Sequence, residues 1–341
     1  MRQEDKKKDI YYISFLQFIG PIFVILGHSL NGMPFNNGIW WIFTKDWIYI
    51  FHMPLFFMIS GYLLSYSGWM KGGRYGSFIK KKFLRLIVPY LFWNIICFIP
   101  KFIMQGYLVD SVEISPAYVI RIFLAPRQNI WGHTWFLVGL FLVYLLTPLW
   151  QKMFSVLKGK KVFCILAVGI VLYVLPIGTE FFCLSDLHKD VLFFWLGCLL
   201  GSLPYDRLYK VVKDHCILFG ILSAATSLFA LLCEESIIWH FIPCACILLF
   251  LLSCGMHLEN WARESGKISM LARNSFGIYI MHWPVMLCCR VLFFQILGLN
   301  PVLTIFVMIV LGYLVPNVAV WIFRRVNNKG ISTALKYLIG V

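Results

Sequence analysis

Residues 11–32 read YYISFLQFIGPIFVILGHSLNG. The apolar part runs for about 20 residues, which at about 1.5 Å rise per residue crosses a hydrocarbon core of ~30 Å. The basic start MRQEDKKKD imitates the n-region of a signal peptide. The apolar run has the length of a span and no small-residue cleavage site follows it, so it reads as an uncleaved first span. On a helix turning about 100° per residue, Ser14, Gln17, Pro21, Val24, His28 and Asn31 fall on one stripe. Four of these six are polar in a segment that is otherwise apolar. Polar groups in hydrocarbon need partners or a wet cavity, so this stripe does not face lipid. His28 sits toward the outer end of the span, and imidazole is the natural general base near neutral pH.

The rest of the chain extends this reading. Of 341 residues, 60% are hydrophobic and 13% charged, against about half and about a quarter in a soluble domain. Ten spans are expected, at about 11–30, 46–66, 83–104, 134–154, 162–178, 188–203, 216–233, 237–256, 274–295 and 301–323. They make an all-α, polytopic transmembrane bundle, a single integral membrane domain over residues 1–341. The net charge of +15 does not signal nucleic acid, for which no binding motif is present. Instead, 24 of the 30 Lys and Arg fall in alternate loops, which places both termini in the cytoplasm by the positive-inside rule. The other six are Lys45, Lys101, Arg121, Arg127, Lys189 and Arg290. The stretch AYVIRIFLAP (117–126) is too short to span and reads as an interfacial or re-entrant helix ended by Pro126. Most of the eleven cysteines, Cys97, Cys164, Cys198, Cys288 and Cys289 among them, lie in apolar runs as small hydrophobes. None falls in a CxxC or Cys/His pattern, so no metal site is expected. No internal repeat is expected.

Four other segments carry candidate chemistry. His52 stands at the outer end of the second span, with Pro54 read as a first helical position and Ser60-Gly61 in mid-span. Before the third span, Lys82 and Arg85 lie one helical turn apart and suit phosphate oxygens; anionic headgroups are the bland alternative. His133 lies between Trp131 and Trp135 at a membrane boundary. In the ninth span Ser275, Tyr279 and His282 share a face, with His282 near mid-membrane. Arg290 near its end snorkels or faces a cavity.

Five stretches together resemble the membrane-bound acyltransferase family 3, and within it the fucose 4-O-acetylase-like branch. They are VILGHS (24–29), FHMPLFFMISGYL (51–63), KKFLRLIVPYLFW (81–93), WFLVGLF (135–141) and FGIYIMHWP (276–284). The resemblance implies transfer of an acyl group, usually acetyl from acetyl-CoA, to a hydroxyl of a sugar, polysaccharide or lipid-linked glycan. It implies a multi-pass protein of the bacterial inner membrane, with His28 as the catalytic residue. Many members hold an arginine or lysine eleven residues before that histidine; here the position is Gln17. A neutral amide supplies no charge, which shifts donor binding to Arg85 or Lys82.

The expected mechanism has the CoA head at Lys82 and Arg85 and the thioester near His28, which deprotonates the attacking hydroxyl. Ser29, Tyr279 and His282 are candidate oxyanion donors, with Gln17 and His52 in support. An acyl-histidine route stays open, as does self-association. The rivals are a glycan or small-molecule transporter, since intramembrane histidines also suit proton relays, and a non-catalytic relative. Against a transporter, Asp and Glu sit almost wholly in loops.

Overall fold

A computed structural model describes residues 10–31, 33, 38–69, 74–103, 106, 120–121, 123–156, 161–232, 237–326, 330, 335 and 337–339. All regular elements among them are helices. The main ones are α1 (Tyr11–Leu30), α2 (Ile39–Tyr66), α3 (Tyr75–Ile96), α4 (Phe98–Ile103), α5 (Trp135–Leu145), α6 (Thr147–Val156), α7 (Lys161–Val174) and α8 (Leu184–Ser202). They continue with α9 (Tyr205–Val212), α10 (Cys216–Leu232), α11 (Ile237–His257), α12 (Glu259–Ser265), α13 (Lys267–Ala272), α14 (Ser275–Cys289) and α15 (Pro301–Arg324).

Among the described residues, seven stretches are long and apolar enough to cross a membrane: Tyr11–Leu30, Ile39–Tyr66, Tyr75–Ile103, Tyr205–Leu232, His240–His257, Ser275–Ile296 and Pro301–Arg324. The expected fourth span is a pair of helices, Gly132–Leu145 and Thr147–Val156, bent by 52°. Counted as one span it makes eight. The bend has a local cause: Pro148 lacks the N–H that would continue the ladder. The expected fifth span is a helix of 14 residues, α7, which reaches only about 21 Å. The sixth, α8, opens with Asp186, His188, Lys189 and Asp190. Of the expected helix at 117–126, residues 117–119 and 122 lie outside the described residues. Ile120, Arg121, Phe123 and Leu124 are helical and the helix stops before Pro126, as expected; the proline opens the next turn, Pro126–Gln128.

The chain divides into two compact units, each assembled from three segments. The first takes Met1–Gly72, Gln151–Leu175 and Lys189–Ser275. Within it α1 packs against α2, α11, α12 and α13, and α10 against α11. Its core joins Leu16, Phe51, Leu55, Met58, Leu192, Leu248 and Leu252. The α2–α8 contact is a close backbone approach. A Cβ at Gly197 would stand 2.0 Å from the Met58 carbonyl oxygen, and one at Gly201 2.4 Å from that of Tyr62. The spacing Gly197-x-x-x-Gly201 is the small-residue pattern that lets membrane helices touch. A buried hydroxyl pair, Tyr12 and Tyr62 at 2.5 Å, ties α1 to α2.

The second unit takes Gly73–Trp150, Pro176–His188 and Phe276–Val341. Here α3 packs on α5. Asn94 on α3 donates to Thr134 Oγ1 at 3.3 Å, and Asn129 donates to the Tyr90 hydroxyl at 2.8 Å. Arg127 donates twice to Asp186, at 3.0 and 2.6 Å. Burial alone would lower the Arg127 pKa; the Asp186 carboxylate outweighs it and holds the guanidinium above its usual value. Burial, and then the Asp186 charge, pushes the Cys183 thiol up to about 12, so it stays protonated and inert at neutral pH.

Candidate active site

In the first unit α1 and α2 bring two imidazoles and a phenol together. The His28 and His52 rings lie 6.5 Å apart, centroid to centroid, nearly perpendicular at 82°. The Tyr49 ring is 4.8 Å from that of His52 and 6.2 Å from that of His28. The Tyr49 hydroxyl stands 3.4 Å from His28 Nδ1. His28 is half-buried and His52 buried. His52 Nδ1 lies 2.9 Å from the Ile48 carbonyl. A carbonyl only accepts, so Nδ1 carries the proton and Nε2 keeps the lone pair. His52 is therefore not a helix-end residue. α2 begins at Ile39, not near 46, so both His52 and Pro54 lie well inside it. Ser29 is fully buried and donates its hydroxyl to the Leu26 carbonyl at 2.8 Å, on its own helix. Its one proton is thus engaged within α1. Gln17 is half-buried on α1, about 16 Å along the axis from His28.

The second unit holds a parallel group. Tyr279 donates its hydroxyl to the His133 carbonyl. The His133 and His282 rings lie 5.2 Å apart at 73°, and the Tyr279 ring is 6.0 Å from each. His282, with no exposed surface, donates from Nδ1 to the Tyr279 and Ile278 carbonyls, at 2.6 and 3.2 Å. Its Nε2 likewise keeps the lone pair. His133 stacks on Trp283 at 5.4 Å.

The two groups share a sequence. Residues 48–54 read IYIFHMP and residues 278–284 read IYIMHWP. In both, the histidine Nδ1 returns to a carbonyl one turn back, the proline follows two residues later, and the tyrosine stands three residues before. In both, a second imidazole comes from another element. This short repeat corrects the expectation that the chain has none. It was the available signal for Tyr49 and for His133 as a partner, neither of which sequence reasoning had assigned to a site.

The model of a family described as an acyltransferase domain matches residues 10–321. The chain belongs to the acyltransferase-3 family. Nodulation protein NolL of Sinorhizobium fredii (strain NBRC 101917 / NGR234) is 29% identical over 217 residues, 62% of this chain and 54% of that protein. The match therefore spans about half the length of that relative. Glucans biosynthesis protein C of Escherichia coli O157:H7 (strain EC4115 / EHEC) is 24% identical over 317 residues, 80% of each chain. No solved structure matches. The helices and the family together make this a multi-pass membrane acyltransferase.

Within this acyltransferase the expected donor-binding cations are both on α3, in the second unit. Lys82 is half-buried, its Nζ 3.7 Å from the centroid of the Tyr144 ring and 5.3 Å from that of Phe78. Arg85 is exposed, its guanidinium 5.8 Å from the Phe276 ring. The candidates thus divide evenly. Gln17, His28, Ser29 and His52 belong to the first unit; Lys82, Arg85, Tyr279 and His282 belong to the second.

Proposed function

We propose that this protein is an O-acyltransferase that moves an acyl group, acetyl in the first instance, from cytosolic acyl-CoA to a hydroxyl of a sugar or surface glycan. His28 is its general base. The observation that carries the reading is the half-buried His28, within reach of Tyr49 and His52, in a chain of the acyltransferase-3 family. The similarity to glucans biosynthesis protein C favours a carbohydrate acceptor. Ten spans, with both termini in the cytoplasm of a bacterial inner membrane, fit the distribution of Lys and Arg.

With Nδ1–H turned to the Tyr49 oxygen, His28 Nε2 offers its lone pair to the acceptor hydroxyl. The alcohol oxygen attacks the thioester carbonyl as Nε2 takes its proton. The tetrahedral intermediate collapses, the C–S bond breaks, and the imidazolium returns the proton to the thiolate of CoA. Such general-base help is worth about 10²–10⁴-fold. His52, with its proton committed to Ile48, accepts a hydrogen bond at Nε2 and orients what lies beside His28. Lys82 and Arg85 are the cations for the phosphates of the CoA head, Arg85 by its planar fork and Lys82 as a point charge. Ser29 supports the packing of α1 rather than the oxyanion, because its hydroxyl already serves Leu26.

The test is glycan acetylation in a host carrying His28→Ala, with membrane insertion checked by fractionation. Loss of ester-linked acetyl supports the reading. A stably inserted variant that acetylates at the wild-type level overturns it.

A further inference from the structure

Two buried glycines of α1, Gly20 and Gly27, face α2 about two helical turns apart. Gly27 is the residue before His28. A Cβ built on it would stand 3.1 Å from Cγ2 of Ile48 and 3.3 Å from Cε2 of Tyr49. Both contacts are too tight for carbon atoms at rest, so a neighbour would have to give way by a few tenths of an ångström. Ile48 has no exposed surface. Trp47, the residue beside it, donates its indole N–H to Ser227 on α10 at 3.2 Å, so this turn of α2 is also held from its far side. Tyr49 is 41% exposed, and its ring is therefore the group that yields.

The direction of that shift bears on the site. A Cβ at position 27 pushes the Tyr49 ring away from α1, the helix that carries His28. The Tyr49 hydroxyl already stands 3.4 Å from His28 Nδ1, at the upper limit of a hydrogen bond. A few tenths more end the contact. The same turn of α2 carries the Ile48 carbonyl, which accepts from His52 Nδ1 at 2.9 Å. Gly27 thus lies against both residues that set the surroundings of His28.

We propose that Gly27 is a positioning residue of the acyl transfer. The space left by its missing side chain seats the Tyr49 ring against α1 and so fixes how the His28 imidazole is held. The inference rests on the reading of His28 as the general base. Gly20 serves as its counterpart at the same helix contact. A Cβ there would stand 2.9 Å from Cζ of Phe56, about 12 Å along α1 from His28.

Transfer from acetyl-CoA is measured in membrane vesicles, per inserted full-length chain, for Gly27→Ala, Tyr49→Phe, the two combined, Gly20→Ala and His28→Ala. Gly27→Ala lowers kcat about fivefold and leaves the KM for acetyl-CoA within about twofold, as expected when a reacting group is misplaced but the donor still binds. The combined variant also loses about fivefold, because the hydroxyl that the new methyl displaces is already gone; losses that multiply would show that Gly27 acts elsewhere. Gly20→Ala keeps kcat within about twofold. An equal loss in Gly20→Ala overturns the proposal, since that is helix packing in general. So does a Gly27→Ala enzyme with wild-type kcat while His28→Ala has lost activity. Wild-type activity in His28→Ala removes the general base itself, and the two failures are thereby told apart. If Gly27→Ala does not insert, Gly27→Ala with Ile48→Leu replaces it: leucine lacks the Cγ2 methyl of the 3.1 Å contact, and the contact with Tyr49 remains.

Discussion

The α2 and α14 helices carry the same heptapeptide frame and differ in what surrounds it. On α2, the imidazole pair of His52 and His28 is joined by Tyr49, and the helix that carries His28 also carries Gln17, a neutral amide. On α14, the pair of His282 and His133 stands beside an apolar cluster through Trp131 and Trp283. Of the matching histidines, His52 and His282 are both buried; of their partners, His28 and His133 are both half-buried, with His133 Nε2 closed to solvent. One local design thus sets a buried histidine beside a half-buried second imidazole in each unit, and in the second unit the Nε2 of that second imidazole is closed to solvent. The histidine–carbonyl bond fixes the tautomer in both; what differs is access, and access decides whether a lone pair meets a substrate.

The largest expected effect divides the two pairs. His28→Ala lowers kcat by about 10²–10⁴-fold, the worth of a general base, while an inserted His133→Ala loses less than about tenfold. Acetyl transfer in membrane vesicles measures both, and equal losses would end the distinction. Next come the buried members. His282→Leu leaves the Tyr279 carbonyl without its histidine donor and costs about 1–3 kcal/mol of stability, read as a lower melting temperature in detergent. His52→Leu lowers turnover about tenfold at a comparable stability cost, because its ring stands 6.5 Å from that of His28.

Gln17→Arg then adds a cation to the half-buried face of α1. The expected result is a KM for acyl-CoA about threefold lower with kcat little changed, the pattern of added ground-state binding. The smallest effects belong to the phenols. Tyr49→Phe removes a 3.4 Å contact and costs about twofold in kcat. Tyr279→Phe leaves turnover unchanged and costs about 1 kcal/mol of stability, because its hydroxyl serves a backbone carbonyl.

Much of this was legible beforehand. The polar stripe of α1 marked His28, since helical period and lipid chemistry together leave such a stripe few explanations. The expected second span starts at 46 because Lys45 looks like a loop residue; the structure carries Lys45 and Asp46 inside α2 as an exposed pair at 3.7 Å. The charged opening of α8 and the 14 residues of α7 carried too weak a pattern to fix their relation to the bilayer. His133 looked like an ordinary boundary residue because its partner is remote in sequence. Tyr279, which engages it, lies 146 residues away, whereas Tyr49 and His28 are 21 apart.

The sequence by itself determined the helices, the membrane as their solvent and the family, because these follow from local period, apolar length and motif order. It also held the tautomer of each repeated histidine, which depends on a carbonyl one turn away. Only the tertiary structure decided which imidazole meets which and which polar atoms, such as His133 Nε2, are closed to solvent. Those are distances between side chains on different helices or the closure of neighbours over a polar atom. Helix packing, rather than any single segment, sets them.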